Sequence, residues 1–154
     1  MKYVKLFEEF NTPTKGYHNS PSKIDSVEHN RPMWLALTKE MGLNYLHSAK
    51  SNLNWDHSYL YEFDINGIIL EKQEIIEALK DHELTYDDFV SELVCNPTQH
   101  YLSNMEEIKI LQNVSDGIIH HDYDPRNSQA PSIKVMFVFN PSKTLQNMKL
   151  VDKF

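Results

Sequence analysis

Cysteine occurs once in the 154 residues, at Cys95, and glycine only four times. A lone cysteine excludes an internal disulfide and any zinc site built from cysteines alone. Scarce glycine argues against a loop-dominated chain. No stretch approaches the ~20 consecutive apolar residues of a membrane-spanning helix, and nothing near Met1 resembles the apolar core of a signal peptide. Basic residues are in deficit, 15 against 22 acidic, for a formal net charge of −7. Broad nonspecific binding to nucleic acid or anionic membrane needs a cationic footprint, so both are disfavoured. The expectation is a single domain in a reducing cytoplasm, with no membrane association.

What is present is enough to fold. With 40% hydrophobic and 11% aromatic residues, a chain of this length buries roughly 70% of its unfolded surface around one core. Residues 1–15 read as an N-terminal arm, its amphipathic start broken by Asn11 to Lys15, and 16–154 as the domain. Strand-like text covers Gly16 to Asn19 and Pro32 to Leu37. Thr38 then caps a helix predicted from Lys39 to about Ala49. The strongest strand pattern runs from Trp55 to Ile65, where Tyr59, Tyr61, Phe63 and Ile65 alternate with Leu60, Glu62 and Asp64. Asn66-Gly67 predicts a hairpin into Ile68-Ile69-Leu70. A helical insert over 71–112 holds patterns at Gln73 to Asp81, Tyr86 to Val94 (opened by Thr85-x-x-Asp88) and Met105 to Gln112. Strands return at Gly117 to His120, Val135 to Phe139 and Leu145 to Val151. The fold class is α+β, with no Walker loop and no G-x-G-x-x-G.

Three segments stand in an informative order: Tyr17-His18-Asn19-Ser20; Met33-Trp34-Leu35-Ala36 with Tyr45 eleven residues after Trp34; and Asp116-Gly117-Ile118-Ile119 leading to Val138-Phe139-Asn140-Pro141-Ser142. Together they resemble the histidine-tyrosine-glutamate branch of the ADP-ribosyltransferases, which includes diphtheria-type toxins, poly(ADP-ribose) polymerases and small phage-encoded proteins. The resemblance spans about Gly16 to Leu150. It implies a split, twisted, mostly antiparallel β core with peripheral helices and NAD as substrate.

Residue by residue, the resemblance places His18 on the adenosine-side ribose, with Tyr17, Asn19 and Ser20 completing the strand that binds nicotinamide. Asn19 stands where the family has glycine; its contact is through the backbone, and Asn tolerates unusual φ. Trp34, followed by Leu35 and Ala36, occupies the first aromatic position and Tyr45 the second, the two rings sandwiching nicotinamide. Core packing is the competing account of both rings.

Active family members carry a glutamate four residues before the aromatic of the last motif. Here that register holds Val135, between Lys134 and Met136. The transition state is oxocarbenium-like and wants negative charge nearby. Three explanations stay open: an acidic side chain of the target substitutes, as in mono-ADP-ribosylating relatives; Asp122, Asp124 or Gln129 reaches in from the 121–132 loop; or the chain binds NAD or an ADP-ribose-like nucleotide without transferring anything. The catalytic candidates are therefore His18, Tyr45 and Gln129.

Other patterns carry less. His120-His121-Asp122-x-Asp124 is dense in metal-ligand types, but neighbours on a strand point to opposite faces, so no metal is expected. Neither a G-x-S-x-G elbow nor an activated cysteine is present. The acids of 71–92 interleave with an apolar helical stripe and read as a solvated surface; the resemblance leaves this insert to carry partner specificity. Lys5-Leu6-Phe7-Glu8-Glu9-Phe10 resembles the N-terminal segments of tailed-phage head proteins, which would put the chain in a bacterial host cytoplasm or a virion. The acceptor expected is a host protein rather than nucleic acid.

Overall fold

A computed structural model describes residues 15–25, 27, 32–44, 55–95, 105–122 and 133–153. Residues 1–14 of the N-terminal arm, Tyr45, Asp124 and Gln129 lie outside the described residues, as do the side chains of Cys95, His121 and Asp122; Lys15, the last residue of the arm, opens the first strand.

Among the described residues seven strands form one sheet: β1 (Lys15–Ser20), β2 (Met33–Ala36), β3 (Tyr59–Ile65), β4 (Ile69–Leu70), β5 (Gly117–Asp122), β6 (Ile133–Val138) and β7 (Leu145–Lys153). Their order is β4-β5-β6-β2-β1-β3-β7, antiparallel except for β4 with β5. The helices are α1 (39–44), α2 (Lys72–Lys80), α3 (Tyr86–Cys95), α4 (Glu106–Val114) and α5 (Pro141–Thr144). The mixed α+β class and the mostly antiparallel sheet agree with the sequence reading. Local signals worked where they were local: the Thr38 hydroxyl accepts from the Met41 amide at 3.2 Å, and that of Thr85 from the Asp88 amide at 3.3 Å.

The predicted hairpin at Asn66-Gly67 is not one. Strand β3 pairs with β1 and β7, while β4 lies at the opposite edge of the sheet beside β5. Four Cα steps separate Ile65 from Ile69 and reach about 14 Å, whereas five strand spacings in a flat sheet would set β3 and β4 roughly 24 Å apart. The sheet must therefore curl. Its concave face is filled by residues from both ends at once: Phe63 of β3, Ile69 of β4, Ile119, Met136 and Val138 of β5 and β6, and Leu145 of β7.

Asp116 clamps the closure. Its carboxylate accepts from the Ile68 amide at 2.8 Å and faces the Lys143 ammonium at 3.3 Å. Its backbone bonds Ile68 and Phe139, and the Asn66 amide donates to Thr144 O at 2.8 Å. Gly67 does not need glycine for its backbone angles, since no glycine has positive φ. It needs the space, because a Cβ there would sit 2.6 Å from the Asp116 carboxylate. Gly117 is as close to a less yielding neighbour, its Cβ falling 2.6 Å from the Phe137 backbone carbonyl oxygen.

On the convex face, Ile75, Leu79, Phe89, Leu93, Ile108 and Leu111 of α2, α3 and α4 cover Leu70, Ile118 and Phe137 of the sheet. The 71–112 stretch is thus the crossover that the parallel β4–β5 pair requires. Its apolar stripes belong to the largest core cluster; Glu77, Asp81, Glu83, Asp87, Asp88 and Glu106 are exposed, Glu74 is half-buried and Glu107 is buried. Desolvation, followed by the charges of Glu92, Glu106 and Asp88, holds the Glu107 carboxyl above the usual carboxylate range.

Gly117→Ala should lower unfolding free energy by on the order of 3 kcal/mol, since backbone must move to admit the methyl. Gly67→Ala should cost about 2 kcal/mol, because all of Asp116, its Cβ 2.9 Å from the added methyl, must shift and its hydrogen bond to Ile68 is weakened. Urea unfolding of both variants checks the order.

Candidate functional site

The two motif strands, distant in sequence, lie side by side at the centre of the sheet. They barely pair. Tyr17↔Ala36 is the one register match between β1 and β2 among the described residues, whereas β1 matches β3 along its whole length. Beyond Tyr17 the register matches stop, so His18, Asn19 and Ser20 have no register partner on β2. This seam divides the sheet into β4-β5-β6-β2 and β1-β3-β7.

One side chain bridges the seam. His18 Nδ1 lies 2.8 Å from the Trp34 carbonyl oxygen. A carbonyl only accepts, so Nδ1 carries the proton and Nε2 of the neutral ring is left with its lone pair. Burial pushes the His18 pKa below its ordinary value, opposed in part by the bond to Trp34. The ring is therefore neutral at pH 7.

Strand alternation divides the predicted residues between two faces. His18 and Ser20 share the concave face, with Tyr61 directly opposite His18 on β3. Leu35 is buried on that face too, in the cluster with Met136 and Phe63. Ser20 is engaged locally: its hydroxyl donates to Ser22 O at 2.7 Å and accepts from the Ser22 amide. Tyr17, Asn19, Trp34 and Ala36 share the convex face. Tyr17 packs with Ala36 and Leu60, and burial together with Glu62 raises its hydroxyl pKa. Asn19 has no positive φ, so the strand itself places no demand for glycine there. Its Nδ2 donates to Gly42 O of α1 at 3.1 Å, while Oδ1 is buried with no hydrogen-bond partner among the described residues.

Trp34 is partly buried in an aromatic row. Its indole lies 4.5 Å from the Phe137 ring, tilted by 46°, and 5.0 Å from the His120 imidazole, edge to face at 70°. Val135 is on the same convex face, with Ala36 across one side and His120 across the other. It is 5% exposed, and neither cross-strand neighbour is a carboxylate. The third motif has mainly a structural use: Asp116 clamps the turn, and Asn140 precedes α5, its Oδ1 accepting from the Ser142 hydroxyl at 2.8 Å.

In the sequence His120 stands out only within a run of metal-ligand types; its signal is the alternation Ile118-x-His120, which sets the imidazole on the same face as an apolar core residue. No group of three or more His, Cys, Asp or Glu suited to a metal ion occurs among the described residues, and no helix among them is long and apolar enough to cross a membrane.

An unfolded histidine titrates near 6.5. Because folded His18 titrates lower, the unfolded state binds the extra proton between the two values, and stability falls as pH drops through about 6.5 toward the folded pKa. His18→Gln should show a shallower loss of stability over that window, measured by urea unfolding at a series of pH values. Comparison of the chain with known protein families, with characterised proteins and with solved structures finds no match.

Proposed function

We propose that this chain is an NAD-dependent mono-ADP-ribosyltransferase acting on a macromolecular acceptor, with NAD bound in the seam between β1 and β2. The observation that carries the reading is the pairing of the Tyr17-His18-Asn19-Ser20 and Met33-Trp34-Leu35-Ala36 strands at a seam where the register matches stop after Tyr17, with His18 fixed across it by Trp34 O. The neutral His18 ring offers Nε2 to a ribose hydroxyl. The backbone of Asn19 and Ser20, unmatched on the β2 side, offers amide and carbonyl groups to the nicotinamide carboxamide. Trp34 takes part through its carbonyl, which orients His18, while its indole lies over β6 on the opposite face.

In the reaction the bond from the ribose anomeric carbon to the nicotinamide nitrogen breaks, and its electron pair leaves with nicotinamide. An acceptor oxygen or nitrogen attacks the same carbon from the opposite side and gives up its proton to solvent, inverting the centre. With Val135 in the carboxylate register, the negative charge that stabilises the oxocarbenium-like state comes from the acceptor. The net charge of −7 favours a protein acceptor over nucleic acid. Val135 also favours a second reading, in which the chain binds NAD or an ADP-ribose-like nucleotide and transfers nothing.

Incubation with labelled NAD and bacterial lysate should place label on a macromolecule, falling at least about a hundredfold in His18→Ala. Absence of label, with calorimetric NAD binding competed by nicotinamide, would favour the binder. Absence of both would remove the proposal.

A further inference from the structure

We infer that the segment 21–25 is a gate over the His18 imidazole, latched shut by the Tyr61 hydroxyl, and that its opening admits a ligand able to donate a hydrogen bond to Nε2. The gate serves any such ligand and so stands whether or not that ligand is NAD.

The chain doubles back on itself at the end of β1. It leaves the strand at Ser20, two residues past His18, and the Ser20 hydroxyl shapes the reversal by donating to Ser22 O at 2.7 Å. Two residues later the Ile24 amide donates to the Tyr61 hydroxyl at 2.8 Å. Tyr61 is the register partner of His18 on β3, so both side chains rise from one rung on the concave face. Side chains of a strand stand off the sheet, and the hydroxyl is the far end of one. The backbone at Ile24 therefore lies about one side chain above the rung that the chain has just left. Ile24 and Val27 pack down onto the concave cluster that contains Leu35, Tyr61 and Phe63. Burial disfavours the charged form of the imidazole in this enclosure.

The fastening is slight. Beyond the turn at Ser20, the bond from Ile24 to Tyr61 is the one hydrogen bond from 21–25 to the sheet among the described residues. Ile24 and Val27 stay partly accessible, and Pro21, Ser22, Lys23 and Asp25 are exposed. Tyr61, by contrast, is 3% exposed on a strand paired on both sides, with β1 and with β7. A weakly held segment on a fixed post opens locally without unfolding the sheet behind it. Since Nδ1 is committed to Trp34 O, Nε2 is the ring nitrogen that meets a ligand, and the closed segment keeps its lone pair from water until the cover lifts.

Diethyl pyrocarbonate, which acylates a neutral imidazole where its lone pair is accessible, reads the gate without NAD. The full chain is treated briefly at pH 7, and labelling of His18 is followed by mass spectrometry of the tryptic peptide 16–23, in which it is the only histidine. Exposed His82 serves as the reference. Tyr61→Phe keeps the ring and removes the acceptor, so His18 labelling relative to His82 should rise about three- to tenfold, the opening expected from loss of one hydrogen bond. Ile24→Ala keeps the amide and trims the apolar anchor, and should raise labelling as well. Hydrogen exchange should be faster at the Ile24 amide of Tyr61→Phe and unchanged along β3. Unchanged labelling of His18 in both variants would overturn the gate. A rise in Ile24→Ala alone, or unchanged exchange at Ile24 in Tyr61→Phe, would overturn the latch. Faster exchange throughout β3 would assign any rise to general loosening and overturn both.

Discussion

The three residues between β3 and β4 constrain everything else in this fold. Asn66, Gly67 and Ile68 must join strands from opposite halves of a seven-stranded sheet, and no flat sheet allows it. Curling brings the two edges together over a shared concave core, in which side chains of β3, β4 and β7 touch those of β5 and β6. Asp116 locks the closure, contributing its carboxylate to the Ile68 amide and its backbone to Ile68 and Phe139.

A sheet bent this far departs from regular pairing in more than one place: the β3–β7 register shifts between Leu60 and Tyr61 and between Glu62 and Asp64, and the β1–β2 pairing is reduced further. Between β1 and β2 it survives only at Tyr17↔Ala36. These two strands carry His18, Asn19 and Trp34, and the bond from His18 to Trp34 O replaces a backbone rung with a side chain whose second nitrogen remains an acceptor. The proposed site is thus a consequence of the architecture: unmatched backbone and an oriented imidazole occur at one of the places where the bend is taken up. The convex-face helices wall the β4-β5-β6-β2 half, and on the same face α1 covers β1 through Asn19 and Gly42.

Local patterns in the sequence were legible and long-range ones were not. Alternation along Tyr59–Ile65 and the threonine caps at 38 and 85 are decided within a few residues, and the structure has the strand and both helices. Asn66-Gly67 misled because its glycine answers to a carboxylate at residue 116, and spacing along the chain carries no trace of that approach. The helical stretch at 71–112 reads as an addition to the domain, yet it builds the crossover for a parallel pair that no local pattern announces. His18 and Trp34 were identified as candidates from motif order, but their meeting across a seam depends on a strand order invisible in one dimension. His120 was overlooked because its partner is two strands away.

The account turns on whether the seam between β1 and β2 is where NAD binds. Hydrogen–deuterium exchange of the full chain with and without saturating NAD reads this directly. Slowed exchange confined to residues 18–20 and 33–36, with β7 and α2 unchanged, is the predicted result. Protection centred elsewhere, or no protection at a concentration of NAD that saturates calorimetric binding, would contradict it.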